Sequence, residues 1–110
     1  MKYLIKESQF DNLIFGYLDG LNLFKIEDRG DSYFWESESS WKRSQYPLIS
    51  THVKYDDAFV SCDLITQISN FFPVSLDASL ELVGKWVESR HNLKLSRFYS
   101  DCDYDSDDYN

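Results

Sequence analysis

Apolar residues recur along this chain at two periods, and the change from one period to the other divides it into elements. Over residues 76–92, Leu76, Leu80, Val83, Val87 and His91 fall at spacings of three and four, and Leu82 and Trp86 widen that stripe. The spacing predicts an amphipathic helix whose apolar face needs cover. Ser75 or Asp77 can accept from the free amides of its first turn, Arg90 and His91 stand where cations are favoured, and Asn92 suits a left-handed stop. A second helix is expected from Ser8, with Phe10, Leu13, Ile14, Tyr17, Leu18 and Leu21 on one stripe, Asp11 as in a capping box, and Asp19-Gly20 as the stop. A third is expected after Asp63 as its cap, with Leu64, Ile65, Ile68, Phe71 and Phe72 inward and Pro73 ending it.

Between these stretches the period shortens to two. Residues 23–28 and 32–36 read as a hairpin around Arg29-Gly30-Asp31. On the second strand Tyr33 and Trp35 must share one face and Phe34 the other, so these rings are either core on both faces or, at Tyr33 and Trp35, a patch for a partner. Residues 36–44 are polar and read as a loop or short edge strand carrying Trp41, closed by Tyr46-Pro47. Residues 48–55 alternate, with Ile49, Thr51, Val53 and Tyr55 on a buried face and Ser50, His52 and Lys54 on a wet one. Asp56-Asp57 marks a turn, 58–62 a shorter strand, and 93–98 an extended lead into the tail; residues 2–5 are a brief edge strand or a lead-in. The expected architecture is α+β: a small antiparallel β-meander of three or four strands, with about three helices on one face, over residues 1–97. An acidic-aromatic tail occupies 98–110.

Charge sharpens this picture at one end. The last ten residues hold five of the 19 acidic side chains and no base, so the other 14 acids face 11 bases, leaving −3 of the total −8 on the body. Phosphate should repel such a chain at long range, which argues against direct nucleic-acid binding and for a protein partner with a basic surface. Aromatics reach 17%, which favours a packed core built on Phe, Tyr and Trp over disorder and leaves some rings for surface contacts. No run approaches the roughly 18 apolar residues of a membrane span, and the apolar run at the start reads as too short for a signal peptide. Cys62 and Cys102 show no metal-ligand spacing and read as reduced thiols, which places the chain in a cytoplasm, of a host cell or within a virion.

Catalytic chemistry is hard to find. His52 reads as a polar side chain on a wet strand face and His91 as a helix C-terminal cation, Cys62 as a small buried residue, and no phosphate cradle or nucleophile elbow is present. No cofactor or metal is expected. The tail from Asp101 starts like a calcium loop, but Ser106 stands where the turn glycine belongs and the chain ends before the bidentate acid. Clustered aspartates leave weak calcium binding open, beside a solubilising role. Phe98, Tyr99, Tyr104 and Tyr109 interleave with the aspartates, as a segment that docks on a basic, partly apolar groove would.

The opening Leu4-Ile5-Lys6-Glu7-Ser8-Gln9 and the later Lys85-Trp86-Val87-Glu88 with Asn92-Leu93-Lys94 resemble segments of small phage and environmental bacterial proteins of no assigned activity. Those begin with an Ile-Thr-Glu-Ser-Gln-like helix start and close with a Trp-Val-Glu helix; Lys6 departs from their threonine. The resemblance implies a small accessory protein, encoded by a virus. The expected function is non-enzymatic protein binding or assembly through Tyr33, Trp35, Trp41, Phe98, Tyr99, Tyr104 and Tyr109. The alternative is an acidic nucleic-acid mimic that blocks a basic DNA- or RNA-binding protein.

Overall fold

A computed structural model describes residues 7–102 of the chain. The expected segment at 2–5, the side chains of Ser8 and Phe10, and Tyr104 and Tyr109 lie outside the described residues. The elements run α1 (Glu7–Gly20), β1 (Phe24–Asp28), β2 (Asp31–Trp35), α2 (Glu38–Lys42), β3 (Ile49–His52), β4 (Asp57–Val60), α3 (Cys62–Phe71), α4 (Leu76–His91) and β5 (Arg97–Ser100). The fold is α+β, with five strands in the order β1-β2-β3-β4-β5.

The first four strands form the antiparallel meander, whereas β5 lies parallel to β4. A parallel neighbour cannot be reached by a hairpin, and the α3–α4 pair supplies the crossover. Register places Phe34, Ile49 and Val60 in one row across β2, β3 and β4, and all three are buried. Helix α4 lies over this row: Val83 and Val87 are fully buried, and Trp86 and His91 meet the Phe34 ring at centroid distances of 6.3 and 4.8 Å. Ile14 and Leu18 of α1, and Leu64, Ile65 and Ile68 of α3, complete this core from either side of α4. Fully burying each such side chain contributes roughly 1.5 to 3 kcal/mol.

Caps decide where the helices begin. Oγ of Ser75 accepts from the Ala78 amide at 3.0 Å, which makes Ser75 rather than Asp77 the cap of α4, and Asn92 ends it in the left-handed region at φ 55°. Oγ of Ser61 accepts from the Asp63 amide at 3.2 Å, so Asp63 sits inside the first turn of α3 instead of capping it. The stretch expected as a loop or edge strand contains α2, because Ser37 accepts from the Ser40 amide and nucleates one short helix. β3 ends at His52, and Val53 and Tyr55, expected inward, are 60% and 64% exposed on the turn that follows. Leu13 and Phe71 also face outward, at the margins of their stripes.

Two further expectations are corrected at the end of the chain. The sheet continues through Ser100, so the tail does not begin at residue 98. Cys62 and Cys102 are joined in a disulfide, not free thiols, with Cα atoms 4.6 Å apart. The reason is register: Val60 of β4 faces Ser100 of β5, and two residues beyond each strand the cysteines come side by side. The bond removes the thiol argument for a reducing compartment. Among the described residues no helix is long and apolar enough to cross a membrane.

Candidate functional site

Alternation along the strands sends a second set of side chains to the face away from α1, α3 and α4. One row crosses the whole sheet there, Ile26, Tyr33, Ser50, Phe59 and Tyr99 in register from β1 to β5. On one side of it Phe24 pairs with Trp35, and on the other His52 pairs with Asp57 and Asp57 with Arg97. Trp41 of α2 leans onto this face, with ring centroids 5.3 Å from Phe24 and 6.5 Å from Trp35. Tyr33 and Trp35 are 6.2 Å apart, and Phe59 and Tyr99 5.5 Å apart. Aromatic rings therefore cluster at both sides of the face, and the small Ser50 lies between them.

That arrangement leaves a groove of about 800 Å³ above Ser50, His52 and Phe59, within the size range of ligand pockets. One wall is the segment from Gln45 to Leu48, tied down by the Trp35 indole, whose Nε1 donates to the Gln45 carbonyl at 2.7 Å. Tyr46 on this wall is 95% exposed. The opposite wall carries Tyr99 and Asp101; the Asp101 carboxylate accepts from the Cys62 amide at 2.7 Å, beside the disulfide. Glu36 and Asp63 complete a rim of three carboxylates, and among the described residues the lining includes no lysine or arginine.

At the base of the groove, Nδ1 of His52 donates to Oδ1 of Asp57 at 2.9 Å, and Arg97 approaches Oδ2 at 3.5 Å. The Asp57 carboxylate is buried and is held by these two donors, as a buried charge requires. His52 is thus a paired side chain lining a groove rather than a solvated one. Ser50 shares its face, yet among the described residues no hydrogen bond joins Ser50 to His52, so no nucleophile–base relay is formed. Among the described residues no group of three or more His, Cys, Asp or Glu side chains is placed to hold a metal ion.

The expected partner-binding residues separate. Tyr33, Trp35, Trp41 and Tyr99 come together on this face, while Phe98 points the other way and packs against Gly84 of α4. Burial, reinforced by the carboxylates of Asp31 and Asp28, pushes the Tyr33 phenol above its ordinary pKa, so it stays a neutral donor, reaching Asp31 at 3.5 Å. His91 is not the expected cation. Burial, then the neighbouring Lys25 ammonium, hold it below the ordinary imidazole range, and Nδ1 accepts from Lys25 Nζ at 3.2 Å. Alternation along residues 48–55 sets Ser50 and His52 on one face, but Tyr46, Phe59, Asp63 and Asp101 join them only through tertiary pairing.

No family model, curated protein or solved structure matches the chain.

Proposed function

We propose that this chain is a small non-enzymatic binding or assembly protein whose protein partner docks on the sheet face built by Tyr33, Trp35, Trp41 and Tyr99. One observation carries the reading: a five-stranded sheet has one face packed under three helices, while its other face bears aromatic rings that the described residues leave partly exposed. Large apolar patches rimmed by polar groups mark interaction sites, and aromatic residues are enriched at their centres. The rings here contact one another, so little side-chain entropy remains to be lost on docking. The accessory, virus-encoded setting rests on the resemblance of the two short segments around Ser8 and Trp86.

The mimic reading requires fixed carboxylates as the main contact, whereas on this face carboxylates rim a floor of rings and a hydroxyl. Aromatic docking is therefore the reading favoured. It is tested by immobilising the wild-type chain and a Tyr33→Ser, Trp41→Ser variant of equal thermal stability over extract from the native source. A partner retained by the wild type at moderate salt and lost from the variant supports the reading. A partner set unchanged by the variant overturns it.

A further inference from the structure

We infer that the groove over Ser50 receives an extended peptide segment bearing arginine, with a guanidinium held between the rings of Tyr46 and Tyr99 and the carboxylates of Glu36, Asp63 and Asp101. This deepens the binding reading above and rests on it. Charge complementarity selects the occupant. Among the described residues the lining brings three carboxylates and several rings together without a lysine or arginine, and aromatic faces beside carboxylates attract a planar cation both electrostatically and by stacking.

The imidazole in the lining and the guanidinium beside it are already engaged with Asp57. His52 donates to Asp57 at 2.9 Å, and Arg97 approaches the same carboxylate at 3.5 Å. Arg97 also lies over the Tyr99 ring, its Cζ 5.5 Å from the centroid. Tyr99 thus accepts a guanidinium on one face within the chain itself.

A second observation points to a ligand. Ser50 is only 6% exposed and lines the groove floor, and among the described residues no hydrogen bond reaches its Oγ. A buried hydroxyl without a partner is costly, and a peptide backbone or side chain laid in the groove would satisfy it. Two other occupants carry the wrong sign. A second copy of this chain brings a net charge of −8, and the chain's own last ten residues bring five aspartates and no base.

The test uses the full oxidised chain and short fluorescein-labelled peptides in which arginine, lysine or glutamate alternates with alanine, read by fluorescence anisotropy. Three proteins are compared: wild type; a groove variant with Glu36→Gln, Asp63→Asn and Asp101→Asn; and a control with Glu27→Gln, Asp77→Asn and Glu81→Gln, which changes net charge equally outside the groove. Thermal melts confirm that all three fold. We expect the arginine peptide to bind tightest, to lose roughly tenfold in affinity in the groove variant, and to lose less than threefold in the control. Equal losses in the two variants, or an arginine peptide that binds no better than the lysine or glutamate one, would overturn the inference. Loss of the native partner with the Tyr33 and Trp41 substitutions would still stand in that case, so failure of the groove and failure of the aromatic face are separately visible.

Discussion

Gly84 on α4 and Phe98 on β5 touch so closely that a β-carbon added at Gly84 would lie 2.5 Å from the Phe98 ring carbons. The contact is what lets the helix settle on the parallel edge of the sheet. By helix propensity alone Gly84→Ala should stabilise by up to about 1 kcal/mol. We expect the opposite sign here, a net loss of roughly 1 to 3 kcal/mol, because the ring cannot retreat without moving β5. Urea denaturation measures it, and the double variant with Phe98→Leu should recover part of the loss. A stabilised single variant would show that the approach is looser than this.

The Cys62–Cys102 bond closes a separation of 40 residues that contains all of α3 and α4. Cross-linking a loop of that length stabilises by about 4 kcal/mol on the chain-entropy account. Reduction, or Cys62→Ser with Cys102→Ser, should lower the denaturation midpoint by a corresponding amount. Alkylation without reductant should label neither cysteine in the air-oxidised protein; labelling of both in the native state would contradict the pairing.

Asp19 ties the end of α1 to α4. Its Oδ1 accepts from Trp86 Nε1 at 2.8 Å and from Arg90 Nε at 3.0 Å, and Arg90 is the main reason its pKa lies below the ordinary carboxylate value. Replacing Asp19 by Leu leaves the largely buried Trp86 indole without its acceptor, whereas Arg90→Met removes only an exposed partner. Asp19→Leu should therefore lower the denaturation midpoint more than Arg90→Met. A lowered folded pKa means that the contribution is present above the unfolded value and fades as pH falls through the folded one. The gap between wild type and Asp19→Leu should narrow, without vanishing, as pH falls below the ordinary carboxylate value, because the neutral carboxyl still accepts from the Trp86 indole.

The Trp35 indole fixes the wall of the groove through its hydrogen bond to the Gln45 carbonyl. Trp35→Phe keeps a ring against Tyr33 and Trp41 but loses that donor. Global stability should fall by no more than about 1.5 kcal/mol. Hydrogen exchange across residues 44–48 should accelerate while exchange in β3 stays unchanged. Protection lost equally in both segments would mean that Trp35 supports the sheet and not the wall.

Local periodicity carried much of this fold. Residues 76–92 were readable as a helix because one stripe needed cover, and the observed α4 (Leu76–His91) matches it. The hairpin around Gly30 was legible from its turn and alternation. What local pattern cannot encode is which distant segment a strand selects. β5 pairs with β4 across the whole α3–α4 crossover, and that one choice sets the disulfide, turns Phe98 inward and leaves Tyr99 on the groove. The His52–Asp57 pair was closer to hand, since a strand reversing over 53–56 brings the two residues opposite each other. Asp56-Asp57 has the composition of a turn, but the left-handed turn residue is Asp56 and Asp57 already opens β4. Ser37, four positions before Trp41, was the local signal for α2.

His91 makes a pH dependence that a surface histidine would not. Its ring is packed against Phe34 and Trp86, and Nδ1 accepts from the Lys25 ammonium, so the neutral form is the one the fold holds. The Glu27 and Asp19 carboxylates pull the other way, but burial and Lys25 prevail and the folded pKa lies below the ordinary value. As pH falls through roughly 6.5, the unfolded chain gains a proton at this position before the folded chain does. Stability present above that pH is therefore lost on acidification down to the folded pKa. Urea midpoints between pH 7.5 and 5.5 should fall more steeply for the wild type than for His91→Gln, which keeps an acceptor for Lys25 and cannot titrate. Parallel curves would mean that His91 titrates as freely in the folded chain as in the unfolded one, and that its contact with Lys25 does not select the neutral ring.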